Sequence, residues 1–97
     1  MGARERIHDW EAIRSPVAYR EVESTILAVF GDRVEERKGT SHRLKVKVPE
    51  LRTDPRYEDD PDFRFGFINI VVSGGTEVKA PYLRIAYKAA SGLGLLP

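Results

Sequence analysis

A chain of 97 residues with no cysteine and a formal net charge of +1 excludes a disulfide framework and a thiolate metal cage, and fits one domain able to bury roughly 60 to 65% of its unfolded surface. No stretch approaches the roughly 18 apolar residues of a membrane span. Met1-Gly2-Ala3-Arg4-Glu5-Arg6 has neither the apolar run of a signal peptide nor the Ser or Thr that a myristoylation motif needs at position 6, so a soluble, cytoplasmic protein is expected. The near-neutral charge conceals a split. Positions 50 to 62 hold Glu50, Asp54, Glu58, Asp59, Asp60 and Asp62 against Arg52 and Arg56, six acids to two cations and a net of −4, which leaves +5 on the rest.

In chain order, residues 1–15 form an N-terminal extension in which Ile7, Trp10 and Ile13 recur every third position. That spacing fits a short helix packed on the domain, an exposed edge that mediates assembly, or a loosely ordered arm. Ser15 before Pro16 reads as an N-cap followed by a proline at the first helical position. Ala18, Val22, Ile26, Val29 and Phe30 then mark a helix that Gly31 ends. Residues 32–37, with Val34, suggest a short edge strand, and Lys38-Gly39-Thr40 supplies a turn. In the following strand, period-two alternation assigns His42, Leu44, Val46 and Val48 to the face that helices cover, and Ser41, Arg43, Lys45 and Lys47 to the opposite face.

Pro49 stops that strand, and the acidic stretch with Pro55 and Pro61 reads as a loop. Residues 64–72, rich in Phe, Ile and Val, are the most strongly strand-forming segment. Ser73-Gly74-Gly75-Thr76 breaks it. Pro81 then opens a second helix with an apolar stripe of Leu83, Ala86, Tyr87 and Ala90, closed by Gly92 and Gly94. The expected fold is α+β, in the order α-β-β-β-α, with a three-stranded antiparallel sheet and two helices packed on one face.

Two patches within this order resemble the HicA family of small bacterial and archaeal toxins. Arg37-Lys38-Gly39-Thr40-Ser41-His42-Arg43 is similar to the family's Gly-Ser-His element. Ser73-Gly74-Gly75-Thr76-Glu77-Val78-Lys79-Ala80-Pro81-Tyr82-Leu83-Arg84 is similar to its small-residue turn, Glu-Leu-Lys-like triplet and the Leu of the last helix. The likeness runs from about Val17 to Gly94. Thr40 departs from it by separating the Gly from the Ser-His pair, Ser73 stands where many members have another histidine, and residues 50–63 form an insertion. The resemblance implies a single HicA-like domain at 16–97 with a double-stranded-RNA-binding-domain-like fold. It further implies a metal-independent messenger-RNA endoribonuclease without a cofactor, and a HicB-like antitoxin as partner beside RNA.

Under the resemblance His42 is the catalytic residue. An imidazole can take a proton from a ribose 2′-hydroxyl or give one to a leaving 5′-oxygen; the bland reading is a histidine that hydrogen-bonds a turn carbonyl. Lys38, Gly39, Thr40, Ser41, Arg43, Lys79 and Arg84 are the candidate RNA-binding residues. Cations there neutralise phosphate, although cationic stems also serve to cover a strand face. Ser41 and the glycines equally suit turn chemistry alone. His8 reads as structural or exposed. The acids of 50–62 match no calcium-loop spacing, so no metal site is expected, and the loop is either solvated or folded over the basic surface. With no aromatic residue on the basic strand, recognition of RNA backbone or duplex shape is expected over single-strand reading. The alternative from a different class is a non-catalytic nucleic-acid-binding or protein-interaction module.

Overall fold

Along residues 67–73 burial alternates without a break: Ile68, Ile70 and Val72 turn to one face, and Phe67, Asn69, Val71 and Ser73 to the other. This is the period of an extended strand covered fully on one side only. In the computed structural model, which describes residues 2–96, it becomes β4 (Phe67–Ser73), the middle of a five-stranded antiparallel sheet in the order β1-β5-β4-β3-β2. The other strands are β1 (Val17–Ala18), β2 (Val34–Glu36), β3 (His42–Lys47) and β5 (Glu77–Val78). The helices are α1 (Ala3–His8), α2 (Tyr19–Phe30), α3 (Pro49–Arg52) and α4 (Ala80–Gly92). None is long and apolar enough to cross a membrane.

Helices α2 and α4 bury Val22, Ile26, Val29, Phe30, Leu83, Ala86, Ala89 and Ala90 in one cluster with Leu44, Val46, Val48, Ile68, Ile70, Val72 and Val78. They therefore cover one face of the sheet, and the face of Phe67, Asn69 and Val71 is left partly open. The expected α+β class holds. The strand count does not: five strands stand where three were expected, the additions being the two-residue pieces β1 and β5. Val17 pairs with Val78 and Ala18 with Glu77, while the Tyr19 N–H donates to Thr76 O at 2.9 Å. These distant partners hold Val17 and Ala18 extended, so α2 begins at Tyr19 and the Ser15-Pro16 cap is not used. Its end is as expected, at Gly31 with φ +57°, a conformation that costs glycine little.

The N-terminal alternatives resolve in favour of a packed helix. Ile7 and Trp10 are buried in the common core, and the Arg6 Nε donates to Thr25 Oγ1 of α2 at 3.1 Å. Of the Ile7, Trp10 and Ile13 edge, the first two are consumed inside the protein and Ile13 is partly exposed. His8 is exposed, its ring 5.8 Å from that of Tyr87.

The acidic segment is more than a loop. It contains α3 with Leu51 buried, and two 3₁₀ turns, Pro55–Tyr57 and Pro61–Phe63, in which Asp54 and Asp60 each accept the N–H two residues on at 2.9 Å. Phe63 is fully buried and meets Tyr57 edge to face, with ring centroids 5.1 Å apart. Glu50 pairs with Arg33, Asp54 with Arg56, and Lys88 of α4 with both Asp60 and Asp62. The segment joins the ends of β3 and β4 remote in sequence from the 37–43 turn, and its Asp62 borders the same cavity as His42.

Hydrogen bonds from Arg33, and then its own backbone N–H, hold the Glu50 carboxyl down to about 2, against a small opposing effect of burial. Its folded pKa lies below the unfolded value, so the bridge's contribution is full above about pH 4.5 and is lost as pH falls toward 2. The pair is exposed, and about 0.2 to 1 kcal/mol is expected from it. Glu50→Gln should lower stability by that amount at neutral pH, with wild type and variant converging as pH falls to about 2 in urea titrations. Phe63→Ala empties the anchor of the segment and should cost about 3 to 5 kcal/mol in the same assay.

Candidate functional site

The pairing of β3 with β4 is regular from Lys47↔Phe67 to Leu44↔Ile70 and then slips, so that His42 pairs with Val71. One extra residue on β3 forms a bulge, and a one-residue slip exchanges the faces of the side chains beyond it. His42 therefore lies on the open face with Val71, Asn69 and Phe67, not on the helix-covered face that strict alternation gave. Arg43 is moved the other way. Its guanidinium lies 5.7 Å from the ring of Tyr19, the first residue of α2.

The turn before the bulge holds itself in place. Thr40 Oγ1 accepts the His42 N–H at 3.2 Å, and Thr40 O accepts from Arg43 Nε at 3.1 Å. Ser41 O accepts the Val72 N–H and Arg43 O the Arg37 N–H, both at 2.8 Å. Gly39 has φ +77°. Lys38, Gly39, Thr40, Ser41 and His42 are all exposed and contiguous. Lys79 is exposed just before α4, and among the described residues no hydrogen bond or ion pair ties it to the turn. Arg84, one turn into α4, points elsewhere and donates to Ile13 O at 2.7 Å. The structure thus gathers the 38–43 residues but does not bring Arg84 to them.

Residues missed in the sequence complete the surroundings of His42. On β4, strand β5 pairs with Val72 and Ser73 alone, leaving that edge of β4 at 67–71 without a strand partner among the described residues. A cavity of about 220 Å³ runs along that edge, lined by His42, Phe67, Asn69 and Val71 on the sheet and by Tyr82 and Ile85 of α4. Phe65 and Asp62 border it as well. Asn69 Oδ1 is buried and has no hydrogen-bond partner among the described residues, an omission that costs about 1 to 3 kcal/mol. A lone carboxamide within the apolar run 67–72 was the sequence signal for it.

The basic strand has no aromatic residue of its own, as expected, but rings from its neighbour lie beside its cations. Lys45 Nζ lies 4.2 Å from the Phe67 ring centroid. Phe65 and Phe67 stack with centroids 6.1 Å apart and planes at 30°, and the Arg64 guanidinium lies 5.5 Å from the Phe65 ring. These rings come from the neighbouring strand and the residues leading into it, which alternation within β3 alone does not reveal.

Charge is disposed unevenly around this surface. Burial alone would raise Asp60, but hydrogen bonds from Lys88 and the Asp62 N–H outweigh it and hold the carboxyl below its usual range. Lys88 is likewise held charged: burial would lower it, and its two carboxylate partners raise it. Among the described residues no group of three His, Asp or Glu side chains could hold a metal ion. No family model, curated protein or solved structure matches the chain.

Burial, then a hydrogen bond to Glu23 (Oη to Oε2, 3.1 Å), pushes the Tyr19 phenol up to about 12. The folded state keeps this proton where the unfolded state loses it, so stability should fall as pH rises from about 10 to 12. Tyr19→Phe should flatten that part of the stability profile, as followed by chemical denaturation at several alkaline pH values; an unchanged slope would show that another group causes it.

Proposed function

We propose that the protein is a HicA-like, metal-independent endoribonuclease on a double-stranded-RNA-binding-domain-like fold, with His42 as its acid–base residue and a HicB-like antitoxin as its partner in the cytoplasm. The observation that carries this reading is His42 itself. It is exposed at the end of an open groove, on a turn fixed by four hydrogen bonds, with Lys38 and Arg43 in the same turn.

The chemistry needs little more than this. His42 takes the proton of a ribose 2′-hydroxyl as the 2′-oxygen forms its bond to phosphorus. The bond from phosphorus to the 5′-oxygen breaks, and that oxygen receives a proton from the imidazolium or from water. A 2′,3′-cyclic phosphate and a 5′-hydroxyl result. Cations beside the phosphate offset the charge that builds on its oxygens. Lys38 and Lys79 are assigned to that role. Arg43, which stacks on Tyr19, holds the turn, and Arg84 holds the N-terminal segment through Ile13.

A second reading, a non-catalytic RNA-binding module, is favoured by one feature: among the described residues no carboxylate or carbonyl hydrogen-bonds the His42 ring, so nothing fixes its tautomer. Comparing wild type with His42→Ala on structured and unstructured RNA separates the two. The first reading expects cleavage to drop by about 10² to 10⁴ with the thermal midpoint unchanged. The second expects no cleavage by either protein, and binding that weakens with salt at a log–log slope of about −3 if four phosphates of a single strand are neutralised.

A further inference from the structure

We infer that the open face of β3 and β4 is a stacking platform for single-stranded RNA, with Phe65 and Phe67 as the rings on which bases rest. This rests on the RNA-binding part of the reading above and not on catalysis. Phe65 is the most exposed large apolar side chain described, at 67%. An isolated exposed apolar residue needs no explanation. This one is not isolated.

Phe65 lies against Phe67 at 30°, a stacked pair whose outer ring is largely exposed, and a cation lies over each ring: Arg64 over Phe65, Lys45 over Phe67. Lys47, the cross-strand partner of Phe67, is exposed beside them. Among the described residues none of Lys45, Lys47 and Arg64 has a carboxylate partner, whereas Arg33, Arg56 and Lys88 are each paired. Aromatic faces flanked by unpaired cations suit a base with its phosphate, because each base offers a π-face and each phosphate a charge. A neutral apolar partner would leave the cations uncompensated, and an acidic chain without planar groups would leave the rings unused.

The platform is continuous with the candidate reacting group. Phe65, Phe67, Asn69 and His42 all line one groove. The register Lys47↔Phe67, Lys45↔Asn69, His42↔Val71 sets them along one face in that order. Four strand steps lead from Phe67 to Val71, about 13 Å at roughly 3.3 Å per step. An extended strand of a few nucleotides spans that distance. A base stacked on Phe65 thus leads the backbone past Asn69, whose buried carboxamide oxygen has no partner among the described residues, toward the His42 turn. A duplex presents its bases edge-on within a groove and cannot stack on the rings.

The test uses fluorescently labelled oligouridine and a blunt RNA duplex of equal length, titrated against the full chain carrying His42→Ala so that no RNA is consumed. Adding Phe65→Ala should weaken binding of the single strand by roughly 5- to 150-fold, with Phe65→Trp restoring it and duplex binding unmoved. Circular dichroism melts check that these exposed-site variants fold. Single-strand affinity unchanged by Phe65→Ala, or an equal loss for duplex, overturns the platform. The two readings fail separately. Phe65-dependent binding by a wild-type protein that cleaves nothing keeps the platform and removes the ribonuclease, whereas cleavage with the same KM in Phe65→Ala does the reverse.

Discussion

The antiparallel contact between β3 and β4 is the constraint on which the remaining structure depends. Leu44, Val46 and Val48 on one strand and Ile68, Ile70 and Val72 on the other make the floor that α2 and α4 cover. Because those residues must face the helices, the strand parity is fixed between 44 and 48, and no slip is allowed there without exposing the core. The bulge is confined to the end of the pair, where Val72 N–H reaches Ser41 O and the parity can change without cost to the core. That single added residue carries His42 to the open face and brings Arg43 to Tyr19.

Electrostatics follow the same division of the sheet into two ends. At the end that joins β3 to β4, four of the six acids of 50–62 (Glu50, Asp54, Asp60 and Asp62) pair with Arg33, Arg56 and Lys88, and the Arg33 and Lys88 pairs tie the insertion to the body and to α4. Only the Arg56–Asp54 pair is local in sequence, and all of them are partly exposed and contribute little individually. Their larger effect is subtractive: with those carboxylates neutralised near their own partners, the cations of the turn and the open face keep their charge available for an anionic partner.

Legibility of the fold in the sequence tracks the range of the interaction responsible. The two long helices, the edge strand at Val34, the two main strands and the stop at Gly31 follow from local periodicity and from glycine's tolerance of positive φ, and these were read correctly in type. The start of α2 was not, because Ser15 and Pro16 are a sound local cap whose use is overruled by Val17 pairing with Val78, some sixty residues on. The buried anchors Leu51 and Phe63 were hidden for a similar reason: they sit among acids and prolines, where composition signals a loop.

Within the candidate site, the 37–43 segment and the prominence of His42 were visible because a flexible turn, an imidazole and several cations are adjacent in the chain. By itself the sequence determined the α+β class, the main strands and helices, the exposed basic turn and the split of charge between 50–62 and the rest, all of which depend on neighbouring residues. Only the tertiary structure decided which way His42 faces, which rings lie beneath Lys45, and where the acids find their partners. Each of these depends on the register between strands distant in the chain, and strand periodicity fixes alternation within a strand but not its phase against a neighbour once a bulge intervenes.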